Sequence, residues 1–157
     1  MADIKKEQER AELHKMIWNA ATDLVHAGGV DAWDFKQYVL GTMFYRNITE
    51  YINEGEREAG NESFDYAKMP DEEAETARDG LVKSKGFFML PSELFCNVRE
   101  RAATDENLNE TLEKVFKNIE SSAQGSDSEE DFKGLFADFD VNSNKLGATV
   151  AKRNEKL

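Results

Sequence analysis

The side chains best suited to holding an ion alternate near the C-terminal end: Asp138, Asp140, Asn142 and Asn144. Oxygen donors at every second residue are what a calcium loop of the EF-hand type offers from its positions 1, 3, 5 and 7. Such a loop also needs glycine at position 6 for its sharp turn and a bidentate glutamate at position 12. Ser143 and Thr149 stand there instead. The segment is therefore expected to be an Asx-rich turn between two helices. A calcium-binding helical protein of EF-hand type stays on the page as a rival, motivated also by the acidic charge and the methionines.

The remaining reactive residues are sparse. His14 and His26 lie twelve residues apart near the ends of one expected helix and, with a single cysteine in the chain, make no zinc set. Both are expected at the surface or at helix ends. Cys96 follows Phe95 on a helical stretch and is expected to be a small core residue; alone, it forms no internal disulfide, and a reducing cytoplasm is its simplest home. No G-x-G spacing occurs, so the dinucleotide fingerprint and the P-loop are both missing. No catalytic, cofactor-binding or metal-binding residue is assigned.

The elements that would carry these residues read as helices. Leu13, Ile17, Ala20 or Ala21, and Leu24 recur at spacings of three and four within an expected helix from Glu7 to Ala27, widened by Trp18 and Val25 and ended by Gly28–Gly29. Asp31 is the expected N-cap of a second helix from Ala32 to about Glu58. Its aromatic residues are too many for one stripe, so it is expected to pack on two sides at the centre of the fold. From Asn53 to Asp79 ten acids face three bases, which suggests a solvated loop and then an exposed helix over 71–85 with Pro70 at its start. Phe87–Leu90 suits a short strand or a buried extended linker. Further helices are expected over 92–102, 107–123, 128–139 and 145–157, the 128–139 helix opened by a capping box of Ser126 and Glu129. The expected architecture is all-α, a single helical bundle of about six or seven helices over 1–157 with at most a very short strand.

Composition narrows the function. The 157 residues are 39% hydrophobic and 33% charged, with 20 Lys+Arg against 32 Asp+Glu and a net charge of −12. No apolar run approaches the ~20 residues of a membrane span, and residues 1–15 are charged where a secretory leader would be apolar. A charge of −12 repels nucleic acid and anionic membranes overall, so any DNA contact falls to a local basic subset. Lys83 with Lys85, Arg99 with Arg101, and Lys152 with Arg153 are the candidates. Trp, Tyr and Phe on the central helix are types favoured in protein interfaces, and a stand-alone helical interaction adaptor is the second rival.

Several stretches taken in order point more narrowly: Leu13-His-Lys-Met-Ile-Trp-Asn-Ala-Ala, Gly28-Gly29, Asp31-Ala-Trp-Asp-Phe-Lys-Gln-Tyr-Val-Leu-Gly-Thr-Met-Phe-Tyr-Arg-Asn-Ile, Gly86-Phe-Phe-Met-Leu-Pro, and Phe136-Ala-Asp-Phe-Asp-Val-Asn-Ser-Asn-Lys-Leu-Gly. Together they resemble the N-terminal helical domain of the methylation (M) subunit of type I restriction-modification systems. The resemblance implies a complete subunit that methylates adenine N6 in DNA from S-adenosylmethionine, in the cytoplasm. Its partners would be a specificity (S) subunit that reads the DNA site, a second M subunit and restriction (R) subunits.

That family's catalytic domain carries an Asn/Asp-Pro-Pro-aromatic motif and a glycine-rich loop after a strand. Here the two prolines, Pro70 and Pro91, are far apart, and the adjacent Gly28–Gly29 and the scattered single glycines give no G-x-G spacing. The chain is thus expected to stop short of the catalytic α/β domain, be non-catalytic alone, and serve assembly and closure around DNA.

Overall fold

The computed structural model describes residues 14–16, 18, 19, 21, 22, 31–58 and 63–157. The first seven of these are helical, in keeping with the amphipathic spacing of that stretch; His26 and Gly28–Gly29 lie outside the described residues. Seven α-helices follow: α1 (Ala32–Glu58), α2 (Asp71–Thr76), α3 (Arg78–Lys85), α4 (Phe95–Arg101), α5 (Leu108–Ser122), α6 (Glu129–Phe132) and α7 (Val150–Lys156), with 3-10 turns at Tyr66–Lys68, Pro91–Glu93 and Ala102–Thr104. Among the described residues there is no β-strand, and the all-α expectation holds.

Asp31 opens α1 as its spacing requires. Its Oδ1 accepts the backbone N–H groups of Trp33 (2.9 Å) and Asp34 (2.8 Å), and these bonds, that from Asp34 foremost, hold its carboxyl below the usual range. One face of α1 then buries Tyr38, Tyr45, Thr49 and Ile52. Of these, Thr49 Oγ1 accepts Phe95 N–H at the start of α4 (3.1 Å) and Tyr45 reaches Phe116 of α5, the helix whose Leu108, Leu112, Val115, Phe116 and Ile119 form the buried stripe its periodicity predicts.

The core is built on rings. Tyr45 stands edge-on to Phe95 and Phe116, with centroids 5.4 and 5.5 Å away, while Phe116 stacks flat on Phe136 at 4.1 Å. Three buried or half-buried phenols tie this apolar interior to carbonyls. Tyr38 donates to Asp140 O (2.8 Å), Tyr66 to Met89 O (2.7 Å), and Tyr45 to Glu93 O.

Phe87–Leu90 takes the second of its two expected forms, an extended segment running through the core with Phe87, Phe88 and Met89 buried. With no neighbouring strand, its polar groups find side chains. Phe88 N–H donates to Ser122 Oγ (2.9 Å), which in turn lies 3.1 Å from Phe88 O, and Leu90 N–H donates to Glu93 Oε2 (3.1 Å).

Four expected elements come out differently. The 71–85 helix is divided at Ala77 (φ −93°, ψ −1°), where the backbone tightens to an N–H bond with Ala74 O. The 92–102 helix is a 3-10 turn followed by α4, because buried Leu94 is extended (φ −63°, ψ 145°). The 128–139 helix stops at Phe132: Lys133 is extended and Gly134 has φ +70°. There the Glu120 carboxylate takes the N–H groups of Gly134 and Phe136 (3.3 and 3.4 Å). The 145–157 helix begins only at Val150, capped by Thr149, whose Oγ1 accepts Lys152 N–H (3.3 Å).

The capping box also departs from expectation. Glu129 reaches back to Gly125 N–H (2.8 Å), and the Ser126 hydroxyl, while accepting Ser128 N–H (3.2 Å), sits 3.0 Å from the Gly86 carbonyl.

Candidate functional site

The C-terminal end of α3 and the loop that follows α5 face each other across an open cleft of about 770 Å³. Gly86 makes the approach: it ends α3 with φ +87°, and a β-carbon on it would fall 2.1 Å from Ser128 Oγ. A left-handed backbone and the near contact both call for glycine.

Arg78, Lys83 and Lys85 bring three cations to this cleft, against Asp79 and Asp127, with Ser84, Ser126, Ser128 and Gln124 adding hydrogen-bonding groups. Arg78 is fixed by a two-pronged pair with Glu75 (2.6 and 2.9 Å), and its guanidinium lies 4.2 Å from the Phe88 ring centre. The pairing raises the arginine pKa and lowers that of Glu75. Lys85 Nζ lies 4.2 Å over the Tyr51 ring. Lys83 is exposed and, among the described residues, has no carboxylate partner. With Arg78 held by Glu75 and the carboxylates of Asp79 and Asp127 on the same walls, the cleft is polar and Lys83 is the cation best placed to meet a phosphate.

The other basic candidates lie elsewhere. Arg101 Nη2 donates to Ser92 O (2.7 Å), so the side chain ties α4 to the turn that precedes it, while Arg99 on the same helix is exposed. Arg153 is half-buried and donates to Gly147 O (3.2 Å), bracing the loop before α7; adjacent Lys152 is exposed. Only Lys83 and Lys85 thus share a cleft. Sequence reasoning missed Arg78 beside them. The signal was its seven-residue spacing from Lys85, two turns of one helix face.

Three of the four alternating Asx residues do turn work, and Asp138 is exposed. Asp140 Oδ1 accepts Asn142 N–H (2.9 Å), Asn142 bridges Asn109 (2.6 Å) and Glu113 (2.8 Å), and Asn144 Oδ1 faces Arg153 (3.4 Å). Their oxygens serve separate partners. Among the described residues no group of three or more His, Cys, Asp or Glu side chains is placed to share an ion. His14 is exposed, as expected, and Cys96 is exposed where a core position was expected, because Leu94 and Val98 carry the buried face of that segment.

Comparison with known proteins gives a family. Residues 13–157 match the family model described as the HsdM N-terminal domain. The type I restriction enzyme MpnII methylase subunit of Mycoplasma pneumoniae is 43% identical over 165 aligned positions, which cover 98% of this chain and 30% of that subunit. No solved structure matches.

Proposed function

The chain belongs to the HsdM N-terminal domain family, the N-terminal domain of type I restriction-modification methylase subunits, and from that premise we propose that it works as the non-catalytic assembly and DNA-positioning domain of such a subunit. The complete subunit transfers a methyl group from S-adenosylmethionine to adenine N6 in DNA. It does so in the cytoplasm, in a complex with a specificity subunit, a second methylation subunit and restriction subunits. The observation that carries this reading is the family match over 13–157, together with a relative more than three times as long.

The methyl donor does not fit the residues here. Among the described residues no β-strand runs into a glycine-rich turn, and the glycines with positive φ, Gly86, Gly125 and Gly134, stand in separate turns. No transfer step is assigned to them. In this reading the 1–157 chain is one domain, and the catalytic α/β domain belongs to the rest of the subunit.

DNA contact falls to the Arg78–Lys83–Lys85 cleft, with exposed Arg99 and Lys152 as outlying contacts and Arg101 and Arg153 committed to internal tethers. With −12 overall, affinity of the chain alone is weak and falls steeply with salt, since each phosphate contact releases a counterion. Fluorescence anisotropy with a labelled duplex tests this. Lys83→Glu with Lys85→Glu should abolish the residual binding at low salt, whereas Arg153→Gln should act only through stability. Tight sequence-specific binding by this chain, or adenine methylation by it alone, would overturn the division of labour. Co-expression with the cognate specificity subunit is expected to yield a complex with the full methylation subunit.

A further inference from the structure

The cleft between the end of α3 and the loop after α5 has an aromatic wall as well. Tyr51 of α1 lines it beside Lys83 and Lys85. Tyr51 is 45% exposed, whereas Tyr45, Thr49 and Ile52 on the same helix are buried. Buried Phe87 lies nearly parallel to the Tyr51 ring (21°) at a centroid distance of 6.5 Å, and Phe87 leans in turn on Phe132 at 4.9 Å. The plane of Tyr51 is thus set from the core. Lys85 Nζ stands over the same ring, 4.2 Å from its centre.

Charge alone gives this cleft little hold on a nucleic acid. Arg78 is occupied by Glu75, and Asp79 and Asp127 stand on the same walls. Two lysines are left to meet phosphate, too few to follow a duplex backbone against a net charge of −12. An oriented ring beside two ammonium groups offers a different contact. Every base has a π-face that stacks on an aromatic side chain. In a duplex the neighbouring pairs already cover that face; in a single strand it is open.

Building on the reading that DNA contact falls to this cleft, we propose that it takes an unpaired nucleotide of single-stranded DNA, the base stacked on Tyr51 and the phosphate met by Lys83 and Lys85. Lys85 holds the place of the base. Its ammonium rests on the π-face by cation–π attraction, and an arriving base displaces it, on a flexible four-carbon stem, toward the phosphate. Gln124, exposed on the facing wall, adds an amide that can both donate to and accept from a base edge. An enzyme that does chemistry on a base within a duplex must first unpair it, so DNA acted on in that way presents nucleotides of this class.

Fluorescence anisotropy of the 157-residue chain at low salt tests this with labelled probes of equal length: oligothymidylate, an oligomer of abasic sites, and a duplex. Oligothymidylate should bind about tenfold tighter than either of the others. Tyr51→Ala should remove that advantage and leave duplex binding within about twofold, while Tyr51→Phe, which keeps the ring, should retain it. Lys83→Gln should weaken all the probes. Equal affinity for the probes, or tighter binding of the duplex, would overturn the stacking and leave the DNA-positioning reading standing. An advantage that survives Tyr51→Ala would overturn it too. No binding of any probe would overturn both. The comparison of probes uses the unaltered chain, so it decides even where a variant fails to fold.

Discussion

Gly41 and Phe139 are in such close contact that a β-carbon on the glycine would come within 2.5 Å of the ring Cδ1 and 3.1 Å of the phenylalanine's own Cβ. The obstacle includes the root of the side chain, which a rotamer change does not remove, and Phe139 is also pinned edge-on by Tyr38 at 5.3 Å. Gly41→Ala is therefore expected to destabilise by ~1–3 kcal/mol despite alanine's better helix propensity. Urea denaturation followed by circular dichroism measures it; a rise in midpoint would show that α1 and the 136–139 turn separate easily.

The Tyr45 hydroxyl is buried among rings and donates to Glu93 O. Tyr45→Phe leaves that carbonyl short of a partner and should cost ~1–2 kcal/mol. Burial, and then the nearby Glu93 charge, push the Tyr45 phenol well above its ordinary value, and burial does the same to Tyr66. Because the folded pKa lies above the unfolded one, this contribution is whole below pH ~10 and lost as pH climbs through the folded value. In an absorbance titration both phenols should ionise only as the chain unfolds. Full phenolate absorbance with native circular dichroism would contradict this.

Asp31 gives the opposite sign. Its folded pKa lies below the ordinary 3.8 because the charged form accepts the N–H groups at the start of α1, that of Asp34 foremost. The stability it adds is present above that ordinary value and lost as pH falls through the folded one. Asp31→Ala should lower the urea midpoint at neutral pH, and its deficit should shrink on acidification below pH 4. A deficit constant from pH 7 to pH 2 would refute the charge-based cap.

Cys96 is exposed. A maleimide is expected to label the native chain stoichiometrically without denaturant. Labelling that requires unfolding would return the thiol to the core.

Legibility from sequence followed the range of the forces involved. The α5 stripe from Leu108 to Ile119 and the Asp31 cap rest on neighbours within a turn or two, and both were readable. Ser126 failed as a box cap because the Gly86 carbonyl, forty residues away, lies beside its hydroxyl. The expected 128–139 helix is cut short because Gly134 takes a positive φ that breaks it, while Phe132 and Phe136 still reach the core. Cys96 was misplaced because apolar neighbours do not say which side of a short helix faces inward. In the cleft, Lys83 and Lys85 were visible as a pair, whereas the serines opposite them come from a loop that only tertiary folding brings near.

The Phe87–Leu90 segment has a kinetic consequence. Two of its partners are distant in sequence, Ser122 on α5 and Tyr66 in the 66–68 turn, while Glu93 lies in the turn that follows it, so the bonds at Phe88 and Met89 close only once those two distant parts of the chain have come together. It behaves as a keystone. Opening it alone would strand buried polar groups with no water to receive them. Deuterium uptake at the Phe88 amide, bonded to Ser122 thirty-four residues away, should accordingly be among the slowest in the protein and track its global unfolding.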